Sequence, residues 1–166
     1  MLRHFFSYSI VLLLLGCSVT PEPVSRKKVS ILASLLRLKN DIPSHERLYL
    51  ARTIYFKTKE LTKEFALTSP PLWHNILVNV GIKEKGLCYH WSDALYKTLQ
   101  KKSYPHYDFY LVGANIGEYF FEHNALVITA KGTNVAEGIL IDAWRDSGKL
   151  FVSKVQDDVK YKWLKR

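Results

Sequence analysis

Three polar side chains have the types and settings that thiol chemistry requires: Cys88, His123 and Asp142. Cys88 follows the polar loop Lys83-Glu84-Lys85-Gly86 and opens a segment with the apolar spacing of a helix. At a helix start, free N–H groups and the positive end of the dipole favour the thiolate, which is the nucleophilic form of cysteine. Those N–H groups are also placed to hold an oxyanion. His123 stands early in a run whose later residues, Ala125 to Ile128, are apolar. There it can share a proton with a thiol and return it to a leaving group. Asp142 sits inside Ile139-Leu140-Ile141-Asp142-Ala143-Trp144, where an unpaired carboxylate would be costly. A histidine on the neighbouring strand would be its partner, and the aspartate would orient the ring.

Each residue alone has an ordinary explanation: an inert buried cysteine, a satisfied core histidine, an aspartate that caps a turn. The cysteine count strengthens the chemical reading. The chain has two cysteines, and Cys17 belongs to a different motif near the start. Cys88 is therefore a lone thiol. A metal site built from Cys88 with His90, His106 or His123 is a weaker alternative, because no spacing matches a zinc pattern. The site as read calls for no cofactor and no metal. Glu122 points to the opposite strand face from His123 and is left out of it. Asn75, Asn79 and Tyr89 are open candidates for an oxyanion side chain.

The elements that must position these residues follow from pattern. Val29 to Lys39 has helical spacing, and Asn40-Asp41-Ile42-Pro43 breaks it. Ser44 to Glu64 forms a second helix, with Leu48, Ala51, Ile54 and Tyr55 on one face. Ser69-Pro70-Pro71 opens a third, ending near Gly81, with Leu72, Ile76 and Val80 as its apolar stripe. Cys88 to Gln100 is the fourth, with Trp91, Leu95 and Leu99 inward. Strands follow at Tyr107 to Val112, Phe120 to Ala130, Gly138 to Trp144 and Leu150 to Val152, separated by turn residues. Helices first and antiparallel strands after predict an α+β domain.

Gly86-Leu87-Cys88-Tyr89-His90-Trp91, His123-Asn124-Ala125 and Ile141-Asp142-Ala143-Trp144 together resemble the transglutaminase-like branch of the papain-like cysteine fold. In that family a cysteine opens a helix, a histidine lies on the next long strand and an aspartate on the strand after it. The separations here, 35 residues (123 − 88) and 19 residues (142 − 123), agree with that order. The resemblance spans about Trp73 to Phe151. It implies a transglutaminase-like core with the nucleophile at a helix N-terminus. Cys88 would be the nucleophile, His123 the base and acid, and Asp142 the orienting residue. The implied activity is a cysteine peptidase, amidase or acyl transferase working through a thioester on peptide or isopeptide bonds. A catalytically silent binding module on the same fold is the alternative. Leu87 stands where many family members have tryptophan or a small polar residue.

The start of the chain has its own logic. Arg3 and His4 precede an almost wholly apolar run, Phe5 to Leu15, and Gly16-Cys17 follows. A basic start, a short apolar run and a small residue describe a secretory leader, and the run is short of the ~20 residues that span a bilayer. Leu14-Leu15-Gly16-Cys17 resembles the bacterial lipobox, which implies cleavage before Cys17 and lipid on its sulfur. The expected organisation is a leader at 1–16, a lipidated tether at 17–28 and one domain at 29–166. The chain would be a lipoprotein held by its lipid anchor to a bacterial cell membrane or outer membrane, on the exported side. The formal net charge of +9 suits anionic surfaces, and no nucleic-acid motif is present. Expected partners are the membrane and a peptide, protein or cell-wall peptide substrate. The basic and aromatic stretch Lys160 to Arg166 suits either an anionic membrane surface or a solvated tail with one packed tryptophan.

Overall fold

The structure is a computed structural model that describes residues 17–118 and 120–166. The expected leader, residues 1–16, lies outside the described residues. The elements run β1 (Cys17–Ser18), α1 (Arg26–Leu35), α2 (Ser44–Glu64), β2 (Thr68–Ser69), α3 (Pro71–Asn79), α4 (Cys88–Gln100), β3 (Tyr107–Ala114), β4 (His123–Ala130), β5 (Ile139–Asp146), β6 (Lys149–Lys154) and β7 (Leu164–Lys165). Short 3₁₀ turns occupy Val135–Glu137 and Val155–Asp157. The domain is α+β: four helices precede a five-stranded antiparallel sheet in the order β6-β5-β4-β3-β7.

Helix α4 is the pivot. Trp91, Leu95 and Leu99, spaced by four, are buried along one face and set the helix against β3, β4, β5 and α2. The Trp91 indole N–H donates to the Gly86 carbonyl at 3.1 Å, which ties the helix start to the loop before it. Helices α1 and α2 pack together on the same side of the sheet. On α2 the buried positions are Leu50, Ala51, Ile54 and Leu61, while Leu48 faces outward, contrary to the face read from the sequence.

The sheet is covered on both faces. Leu126, Ile128, Ile139 and Ile141 face the helices, with Trp91 and Leu95. Val112, Ala125, Val127 and Leu140 face the opposite way and meet Trp163, with Tyr161 beside it. Alternation along the strands produces this division. The basic, aromatic C-terminal stretch is thus not a free tail: Trp163 is buried and Leu164–Lys165 pairs with β3.

The segment 17–28 differs from the expected spacer. Cys17 and Ser18 pair with Ser69 and Thr68, and the Val19 N–H donates to the Leu67 carbonyl at 2.9 Å. Val19 and Val24 rest on the core, and α1 begins at Arg26 because Ser25 caps it through the Lys28 N–H. Helix α3 differs most. Its buried residues are His74 and Leu77, while the expected inner stripe of Leu72, Ile76 and Val80 faces outward. Both His74 ring nitrogens are engaged: Nδ1 accepts from the Thr68 N–H at 3.1 Å, and Nε2 meets the Lys85 carbonyl at 2.8 Å. A histidine with both nitrogens satisfied is tolerated in a core position. Burial pushes its pKa down despite the Lys85 hydrogen bond, so it stays neutral.

Candidate active site

Cys88 is the first residue of α4, and Leu87 before it is extended, so the chain turns into the helix at the nucleophile candidate. His90 caps this turn: its Nδ1 accepts from the N–H groups of Gly86 and Leu87 at 3.1 and 3.2 Å. Gly86 has φ +124°, and a Cβ there would lie 2.1 Å from His74 Nε2. The loop that delivers Cys88 is therefore clamped between two histidines and requires glycine.

His123 is the first residue of β4 and Asp142 the fourth of β5. The ladder pairs Leu126 with Ile141 and Val127 with Leu140. Extended by one pleat, that register sets Trp144 opposite His123 and Asp142 diagonally beside it, on the same face. His123 Nε2 and Asp142 Oδ2 are 2.7 Å apart, and both side chains are almost fully buried. Cys88 comes from the helical side of the sheet. His123 begins its strand, and the next residue, Asn124, reaches the head of α4 with Nδ2 3.6 Å from Cys88 Sγ. His123 Nδ1 is buried without a conventional hydrogen-bond partner and is the nitrogen left for the thiol.

The electrostatics show that thiol and ring act on each other. Burial alone would push the Cys88 thiol up, but the hydrogen bond and charge of His123, with Asn124, outweigh it and draw its pKa down. Burial would lower His123, yet hydrogen bonds to Asp142 and Cys88 and both negative charges raise it to about 9. Asp142 would be raised by burial; His123 and Arg145 hold it below the carboxylate range. All three shifts favour one state, a thiolate beside an imidazolium backed by a carboxylate.

Several residues that the sequence did not single out complete the arrangement. Asn124 faces α4, and its Nδ2 lies 3.6 Å from Cys88 Sγ. The Glu122 carbonyl is 4.0 Å from the same sulfur, while the Glu122 carboxylate turns away to the Gly117 N–H and Arg166. Asp142 Oδ1 accepts from the N–H groups of Trp144 and Arg145, both at 3.1 Å, and Oδ2 also accepts from Arg145 Nε at 3.0 Å. The same guanidinium grips Asp158 with two further bonds, at 3.2 and 2.7 Å. Asp158 in turn accepts from the Trp163 indole at 2.9 Å. Trp144, Tyr161 and Trp163 surround the His123 ring, with centroids 4.7, 4.8 and 5.4 Å away. The ring is thereby shielded from water and held in one orientation.

Of the oxyanion candidates, Asn75 is committed through Oδ1 to the Trp144 indole N–H at 3.0 Å. Asn79 and Tyr89 are exposed. His106 is occupied with the buried Glu46, 2.6 Å away. Among the described residues, no group of three or more His, Cys, Asp or Glu side chains is arranged to hold a metal ion. A hollow of about 280 Å³ lined by Leu99, Tyr104 and Tyr107 lies at the far end of α4 from Cys88 and takes no part in this arrangement. No protein-family model, curated protein or solved structure matches the chain.

Proposed function

We propose that this chain is a cysteine hydrolase of transglutaminase-like type, acting on peptide or isopeptide bonds through a Cys88 thioester and held at a bacterial envelope membrane by lipid on Cys17. The observation that carries the reading is geometric: His123 Nε2 lies 2.7 Å from Asp142 Oδ2, and Asn124, next to His123, sets its Nδ2 3.6 Å from Cys88 Sγ, an arrangement in which the thiol is drawn down and the imidazole raised. A packed core has no need of a charged pair there, since burying two ions costs more than burying their neutral forms. A nucleophile does need it, because a lowered thiol and a raised imidazole favour thiolate and proton donor together.

The chemistry runs in two halves. Cys88 Sγ attacks the carbonyl carbon, and the negative charge moves onto the carbonyl oxygen. The N–H groups in the first turn of α4 and Asn124 Nδ2 are the nearest donors for that charge. As the C–N bond breaks, His123 Nδ1 gives its proton to the departing amine. Water then attacks the thioester, and the neutral ring takes a proton from it. The C–S bond breaks to release the carboxylic acid and restore the thiolate–imidazolium pair. Asp142 keeps Nε2 protonated and stabilises the ring whenever it is charged. An amine in place of water would give acyl transfer by the same steps.

Rates of Cys88 alkylation by iodoacetamide across pH test the proposal, alongside hydrolysis of amide-linked and isopeptide-linked fluorogenic peptides. Expected are a Cys88 thiolate that forms below the ordinary thiol range and turnover abolished by Cys88→Ala. Alkylation that follows an ordinary thiol titration would refute it.

A further inference from the structure

We propose that the outward face of α3 lies on a lipid bilayer, with Leu72, Ile76, Val80 and the following Ile82 set into its headgroup boundary. This rests on the reading above that the chain is membrane-held, and extends it to the orientation of the catalytic domain. Leu72, Ile76 and Val80 recur every fourth residue and form one stripe. They are 63%, 50% and 62% exposed, and Ile82 is 64% exposed. Surface helices of soluble domains carry charged residues on their outer face. Helix α3, Pro71-Leu-Trp-His-Asn-Ile-Leu-Val-Asn79, has no Asp, Glu, Lys or Arg at all. Its one ionisable side chain, His74, is buried on the inner face.

The occupant is indicated by where the chain enters. Cys17 pairs with Ser69, two residues before α3 begins at Pro71. Cys17 is therefore held against the residue that leads into α3. Lipid on Cys17 would attach at the edge of this face. Basic groups follow α3 directly: Lys83, which donates to the Ala66 carbonyl, and Lys85, 3.5 Å from Glu64. Among the described residues no helix is long and apolar enough to cross a membrane.

The orientation bears on the substrate. Asn75, next to Ile76, accepts from the Trp144 indole, and Trp144 lies against the His123 ring. One helix and one indole thus separate the stripe from the catalytic histidine. Docked this way, the site would work at the membrane surface, on peptide bonds presented close to headgroups.

Full-length protein carrying a photoreactive p-benzoylphenylalanine in place of Ile76 or, separately, Val80 tests this. A third variant carries it in place of exposed Lys131, on the turn after β4. Each is reconstituted with phosphatidylethanolamine–phosphatidylglycerol vesicles, floated on a gradient, irradiated and analysed by mass spectrometry. Lipid adducts at positions 76 and 80, and their loss at 131, are expected. Flotation without lipid adducts at 76 and 80 would overturn the docking and leave the membrane anchor intact. Adducts to a second copy, or to residues 5–15 of the same chain, would overturn it in favour of those occupants. Failure to float would overturn the docking and the anchor together.

Discussion

Asp142→Asn tests the proton relay with the least change in shape. Asp142 Oδ1 accepts two backbone N–H groups, from Trp144 and Arg145, so an amide at this position keeps its oxygen there. Its NH₂ group is then forced toward His123 Nε2 and Arg145 Nε, which are both donors in the native arrangement. The ring must surrender the proton on Nε2 and keep one on Nδ1, so it becomes neutral. In the native protein the imidazolium is favoured by a rise from 6.5 to about 9. At ~1.4 kcal/mol per pH unit that is roughly 3 kcal/mol. With the carboxylate gone, burial dominates and pushes the ring down instead. Cys88 then loses its counter-ion and returns toward an ordinary thiol, only ~3% ionised at pH 7. The population of thiolate falls, by at most ~30-fold, and the greater intrinsic nucleophilicity of a higher-pKa thiolate limits the expected loss of alkylation rate to at most ~10-fold. Arg145 keeps both bonds to Asp158, so stability should fall by only about 1–3 kcal/mol, read from thermal melting. Iodoacetamide rates at pH 5 to 10 provide the assay. A mutant profile that superimposes on the native one, in protein with native near-UV circular dichroism, would refute the relay.

Hydrolysis should follow a bell in pH. The acid limb marks reprotonation of the lowered Cys88 thiol, below the usual cysteine range; the alkaline limb falls through about 9, where His123 loses the proton that the leaving amine needs. A profile still rising at pH 10 would contradict that assignment. Gly86→Ala sets a Cβ against His74 at a φ of +124° and should cost at least ~2 kcal/mol in melting experiments, with slower alkylation of Cys88 as its loop moves. Trp163→Ala should cost ~3–5 kcal/mol and open the His123 ring to water, whereas Trp163→Phe should retain most of the packing and lose the bond to Asp158. Equal melting temperatures for those two variants and the native protein would show that the indole supports nothing.

The parts of the fold that were legible from sequence are those with strong periodicity and clear borders. Ser44–Glu64 and Cys88–Gln100 form the expected helices, and the pairing of His123 with Asp142 follows from strand order and a short connection. Periodicity did not tell the inside of α3 from its outside. Leu72, Ile76 and Val80 make the better stripe by composition, but His74 and Leu77 face inward because the loop at Lys85 and the backbone at Thr68 supply both histidine nitrogens with partners. Such pairing depends on tertiary contacts that no local pattern encodes. Arg145, Asp158 and Trp163 were missed for a related reason. Asp158 follows a short 3₁₀ turn and Trp163 precedes a two-residue strand, elements too brief to leave a periodic signal. One clue was available: a buried carboxylate needs more than one donor, and Arg145 stands three residues beyond Asp142. The docking of residues 17–25 was hidden because Cys17–Ser18 pairs with another two-residue strand.

The roof over His123 comes from a part of the chain synthesised well after the nucleophile. Cys88 and Asp142 both emerge from the ribosome before Asp158, Tyr161 and Trp163, which hold the guanidinium and enclose the imidazole. The enclosure of the His123 ring and the double grip on Arg145 are thereby completed only once residues 158–163 have folded back onto the sheet.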